Sequence, residues 1–298
     1  MSDDISIGAI FPQAEIAAKP AAIAAWARTV EQLGYDHLVA YDHVIGAHPH
    51  RPEDPRAARW PQNAYDHESL FHEPMVLFGY LAAITERIEL TTGVIVLPQR
   101  QTVLAAKQLA EVDVLSGGRL RVGVGLGWNH VEYEALNERF ETRGRRLEEQ
   151  AAVLRALWTE PVVDFDGRWH RIPRAGIKPL PVQRPIPLWL GGHADAALAR
   201  VARVADGWLS SSDAFSPAVE PMLAALRGHL AAAGRDPGAF PFEGRVDLPG
   251  RTPDDWRRGI ERWRALGASH VAVNTLRGGL EPAAQLELVE RFMATVER

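Results

Sequence analysis

The chain of 298 residues contains no cysteine, which excludes disulfides, thiolate metal sites and cysteine nucleophiles at once. It also has no surplus of positive charge. Lys and Arg number 33 against 38 Asp and Glu, a formal net charge of -5, and the two signs are interspersed, so no basic stripe is available to follow a nucleic-acid backbone. Long hydrophobic runs are missing too: no stretch approaches the roughly 18 apolar residues of a membrane span. Neither nucleic acid nor a membrane is therefore expected as a partner. The opening residues MSDDISIGAIFP are acidic and enter a strand pattern directly, without the basic and apolar regions of a leader, so the expected location is cytoplasmic.

The residues that are present, 46% hydrophobic and 24% charged, fall into alternating strands and helices. Short runs such as ISIGAIFP, IELTTGVIVLP and RLRVGVGLG alternate with helical periodicities. One such helix is PAAIAAWARTVEQLG, with Ile23, Trp26, Val30 and Leu33 on one face and a stop at Gly34. Another is expected over residues 73–87, EPMVLFGYLAAITER. Eight strands read in this way predict one α/β domain over 1–298, a (β/α)8 TIM barrel rather than a doubly wound sheet. Two insertions exceed ordinary connections, 46–72 after the second strand and 161–185 before the fifth. The first opens on the face where barrels place chemistry and is expected to be a lid; the second reads as a hairpin rooted on the opposite face. Trp256 and Trp263 stand at helical spacing and are assigned to packing, and the charges of ERFETRGRRLEEQ to a solvated helix face.

The carboxyl ends of the strands carry the candidate chemistry. Asp42 and His43 end the second strand; an imidazole beside a carboxylate can move a proton near neutral pH, although the pair can equally begin a solvated loop. No further histidine or carboxylate stands at ligand spacing nearby, so no metal is expected. Gly93 interrupts the β-branched third strand, as a bulge or a close backbone approach would require. In LRVGVGLGW, Gly123, Gly125 and Gly127 thin the fourth strand, for a ligand, another backbone or a tight barrel interior. Gly191, Gly192 and His193 end the fifth strand just before a helix, which suits an anion on free N–H groups or an ordinary glycine turn.

These residues carry a resemblance. The run TTGVIVLPQRQTVLAAKQLAEVDVLSGGRLRVGVGLGW, then ETRGRRLEEQAAVLRALW, KPLPVQRPIPLWLGG and ARVADGW, resembles the bacterial luciferase-like monooxygenase superfamily. More narrowly, it resembles the superfamily's coenzyme F420-dependent (deazaflavin) oxidoreductases. The match runs from about Ile5 to Trp208; beyond it only the barrel pattern agrees. The resemblance implies a flavin or deazaflavin in the barrel mouth, bordered by Thr92, Gly93 and Val94, with a non-prolyl cis peptide at Gly93–Val94. It further implies Gly125, Gly127 and Trp128 along the ring, Gly191, Gly192, His193 and Ala194 around the cofactor phosphate, and Asp42 and His43 beside the reactive ring as catalytic residues. His43 is then the proton donor or acceptor, oriented by Asp42.

The small-molecule substrate is expected against Trp60, Tyr65, Asn129 and Asn274. In the family's sugar-phosphate dehydrogenases a glutamate follows the glycine that precedes Trp128 here, so sugar-phosphate oxidation is not expected. The resemblance allows an alternative, a monooxygenase using reduced FMN and O2 with a separate flavin reductase, and a third reading, a flavin carrier without turnover. A homodimer is expected from the family alone.

Overall fold

The computed structural model describes residues 5–296 other than 17, 52 and 57–64. In chain order the strands are β1 (Ser6–Ile10), β2 (His37–Ala40), β3 (Glu89–Thr92), β4 (Leu120–Val124), β5 (Val163–Asp166), β6 (Arg171–Ala175), β7 (Leu188–Gly191), β8 (Gly207–Asp213), β9 (Phe242–Asp247) and β10 (His270–Asn274). All except β5 and β6 are parallel neighbours in a closed eight-stranded barrel, sealed where Ser6 of β1 pairs with His270 of β10. β5 and β6 form a separate antiparallel hairpin within the 161–185 insertion. The helices are α1 (Pro20–Gln32), α2 (Pro74–Ala82), α3 (Thr102–Ser116), α4 (His130–Ala135), α5 (Arg143–Thr159), α6 (Asp195–Val204), α7 (Val219–Ala232), α8 (Pro253–Leu266) and α9 (Pro282–Met293). Among the described residues, no helix is long and apolar enough to cross a membrane.

Local chemistry accounts for the helix boundaries. Pro20 starts α1 where its missing N–H costs nothing, and Ile23, Trp26 and Val30 turn inward. A reciprocal Thr252–Asp255 capping box opens α8, whose Trp256 and Trp263 are fully buried, as packing residues should be. α2 stops at Ala82, short of the expected 87, because the next groups are bonded elsewhere. The Glu31 carboxylate accepts the N–H groups of Glu86, Arg87 and Ile88, and Arg119 donates to the carbonyls of Ala82, Thr85 and Ile88. The polar face of α5 is not simply solvated: Glu149 accepts N–H bonds from Arg168, Trp169 and His170 and pins the β5–β6 turn.

The inside of the barrel is partly ionic. Arg121 sits 2.6 Å from Glu89 and 2.9 Å from Glu243, His37 lies 3.1 Å from the same Glu243 oxygen, and the Arg121 guanidinium covers the Trp189 ring at 4.4 Å. Burial alone would raise the Glu243 carboxyl, but Arg121 and His37 outweigh it and hold it down to about 2. His270 beside them is pushed down to about 3, first by burial and then by Arg121 and His37. This network lies beneath the barrel mouth, where Glu243 lines a cavity.

Candidate functional site

That cavity, of about 600 Å³, opens where the barrel strands end. Ile10, Val39, Leu209 and Ala272 give it apolar walls, and the turns after β2, β3, β4 and β7 form its rim. Its volume and lining suit an organic cofactor. Sequence-predicted Asp42, His43, Gly93, Val94, Gly125, Gly127, Trp128, Gly191, Gly192, His193 and Ala194 all line it. Thr92 does not: it is buried beside the rim, where its hydroxyl bonds to both the carbonyl and the N–H of Gly123 across the strands.

The peptide between Gly93 and Val94 is cis, and the segment after it folds against β4. That packing explains the thinned strand. A Cβ on Gly123 would lie 2.0 Å from the Thr92 carbonyl oxygen, one on Gly125 2.4 Å from a Val94 methyl, and one on Gly127 2.6 Å from a Val96 methyl. Of the alternatives open for these glycines, the close approach of another segment of chain is the one seen here. Gly125 and Gly127 border the cavity, but the neighbouring chain of residues 92–96 already excludes side chains there.

The expected pairing of Asp42 with His43 is corrected. Asp42 is only 2% exposed and faces the other way, accepting from Val96 N at 2.9 Å and from Arg100 through both oxygens at 2.7 and 3.2 Å. It ties the end of β2 to the turn after β3. The carboxylate beside His43 belongs to Glu132, in the first turn of α4: its Oε1 lies 3.3 Å from His43 Nδ1 and accepts the Val44 N–H at 2.7 Å. The His43 ring lies 3.6 Å from the ring of Tyr65 and borders Phe71 and Trp128. Burial first, and then the Glu132 charge, push the Tyr65 phenol well above its usual range, so it stays protonated.

A second cavity of about 710 Å³ adjoins the first and shares Tyr41, His43, Trp128, Ser211 and Arg245 with it. Tyr65, Phe71 and Leu276 form its apolar side, and Asp247 and Asn274 its polar side. Asn274 reaches it while donating to Asp247 at 2.7 Å. Asn129 does not reach either cavity. It is fully buried as the N-cap of α4, accepts from Val131 N and donates to the Ile45 carbonyl and to Tyr65 Oη, so it holds the long loop instead of a substrate. Trp60 lies outside the described residues.

Among the described residues no side chain caps α6, whose N-cap, Ala194, lines the first cavity. His193 bonds to Ser211 at 2.9 Å, and the Gly192 carbonyl accepts from Trp208. Gly192 has φ of 139°, a conformation that side chains disfavour, and its Cβ would strike Ala197. Uncapped N–H groups on a bare turn fit a phosphate, and the largely apolar cavity fits a flavin-like ring. Among the described residues, no three His, Asp or Glu side chains group to hold a metal ion. Sequence reading missed Glu132, Tyr41, Arg100 and Arg245. Only Glu132 carried a usable signal, an acid in the first turn after an Asn cap.

Comparison with known proteins agrees with this architecture. The luciferase-like monooxygenase family profile matches residues 7–270. An uncharacterized protein of Mycobacterium tuberculosis is 32% identical over 254 residues, 83% of this chain and 82% of that one. The FMNH2-dependent dimethylsulfone monooxygenase of Pseudomonas putida is 32% identical over 167 residues, 55% of this chain and 46% of that one. Among solved structures, an F420-dependent secondary alcohol dehydrogenase in complex with an F420-acetone adduct superposes with a TM-score of 0.77 at 14% identity, covering 99% of this chain and 100% of that one, a likeness of fold. With the profile spanning nearly the whole barrel, the chain belongs to the luciferase-like monooxygenase family.

Proposed function

We propose that this protein is a coenzyme F420-dependent oxidoreductase, working in the cytoplasm as a homodimer, that moves hydride between the deazaflavin and a small organic substrate. The observation that carries the reading is that one imidazole, His43, borders two adjoining cavities, one largely apolar, the other mixed in polarity. Bound in the first cavity, the deazaflavin supplies or accepts the hydride. Val39, Leu209 and Ala272 keep water from that cavity, and the turn Gly191–Ala194 with the start of α6 orients the anionic tail. His43 moves the accompanying proton to or from the substrate in the second cavity, and Tyr65 and Trp128 wall that substrate. Asp42 acts at a distance, by holding the turn after β3.

A second reading, a monooxygenase using reduced FMN and O2 with a separate reductase, is favoured by the likeness to the dimethylsulfone monooxygenase over half the chain. Both readings place a phosphate at α6, which Ala194→Asp tests. An acid at the N-cap stabilises the helix but repels an anion. Cofactor affinity, followed by fluorescence, is expected to fall at least tenfold while the melting temperature does not drop; unchanged affinity would place the anionic tail elsewhere.

A further inference from the structure

The role of Glu132 goes beyond this reading and rests on it in one respect, that His43 is the proton-moving group. We infer that Glu132 is a positioning residue that fixes the tautomer of His43, holding its proton on Nδ1 and leaving Nε2 as the free lone pair. Three observations meet here. Glu132 is fully buried, and its Oε1, an oxygen that already accepts a backbone N–H, lies 3.3 Å from His43 Nδ1, so the oxygen acts as acceptor and the ring nitrogen as donor. The same oxygen accepts the Val44 N–H at 2.7 Å, which fixes the backbone that carries the ring. Asn129, three residues earlier, bonds to Ile45 and to Tyr65, and the Tyr65 ring lies against the His43 ring, tilted by 30° with centroids 3.6 Å apart.

The first turn of α4 therefore clamps the ring by its edge, its backbone and its face. In water a neutral imidazole favours the proton on Nε2; a carboxylate on Nδ1 reverses that preference, as it does wherever a buried acid orients a catalytic histidine. The nitrogen left over is then a proton acceptor on a ring that borders both cavities.

The test needs neither cofactor nor substrate. The full chain is labelled with 15N, and long-range 1H–15N correlations of the imidazoles are recorded above neutral pH, with His43→Gln to assign the signals. Wild type is expected to show His43 as the Nδ1–H tautomer. Glu132→Gln, whose amide oxygen can still accept, is expected to keep it, and Glu132→Ala to revert to Nε2–H. An Nε2–H tautomer in wild type, or an unchanged Nδ1–H tautomer in a folded Glu132→Ala protein, would overturn the inference. Should Glu132→Ala not fold, the wild-type tautomer alone decides. Deazaflavin and FMN titrations of the same samples report separately on the cofactor, so failure of that reading leaves the tautomer result standing.

Discussion

At the scale of single residues, Asp42 and His43 adjoin in sequence but are held by different parts of the barrel, and substitution should separate them. Asp42→Ala leaves the part-buried Arg100 without its main counter-charge, with Glu73 its remaining partner, and is expected to cost roughly 3 kcal/mol of stability, read from urea unfolding. His43→Gln keeps a donor for Glu132 and should change stability by less than about 1 kcal/mol while abolishing turnover. Equal losses of stability from both would contradict the assignment. The existence of a polar pair at the end of β2 was legible in the sequence, because barrel chemistry sits at strand ends. The partner of each member was not, since Arg100 and Glu132 arrive from the turn after β3 and from α4, and one sequence carries no record of that approach.

The glycines of β4 show the same limit at the scale of an element. Alternate glycines announce a close approach but not what approaches, and here it is the chain of residues 92–96. Gly123→Ala would press a methyl onto the rigid Thr92 carbonyl, whereas Gly125→Ala meets a valine methyl that can shift. Gly125→Ala is expected to cost about 1–3 kcal/mol, and Gly123→Ala distinctly more, with urea midpoints as the measure. The strand and helix alternation was readable from periodicity, yet the end of α2 was not, because Glu31 and Arg119 capture its continuation from other elements. The hairpin depends on one side chain in the same way. Glu149→Ala releases three N–H groups of the β5–β6 turn, so trypsin should cut at Arg168 or Arg171 several times faster than in wild type. An unchanged cleavage rate would show that the turn holds without Glu149.

Across the whole molecule, the ionic interior of the barrel sets the response to acid. Once unfolded, His270 regains its ordinary value near 6.5, so below that pH unfolded chains take up a proton that folded ones refuse until about 3. Glu243 acts in the same direction, ionised in the fold down to about 2 but protonated near 4.5 when released. Stability should thus be complete above pH 6.5 and fall steadily on acidification, and His270→Gln should flatten the part between 6.5 and 4.5 in urea titrations at several pH values. The outside has its own signature. Val76, Gly79 and Tyr80 make one solvent-facing stripe on α2, continued by Ala83 at its C-cap, and Val103 and Leu104 are exposed on the adjoining α3. This apolar face is where the proposed homodimer would pack, and Val76→Glu should yield monomers in sedimentation velocity; a monomeric wild type would remove the dimer. What the barrel mouth holds is read by equilibrium binding. Purified protein is titrated with coenzyme F420 and, separately, with oxidised and reduced FMN. Tight F420 binding with negligible affinity for either form of FMN is the result expected of a deazaflavin site. Preference for reduced FMN, or binding of neither, would contradict it.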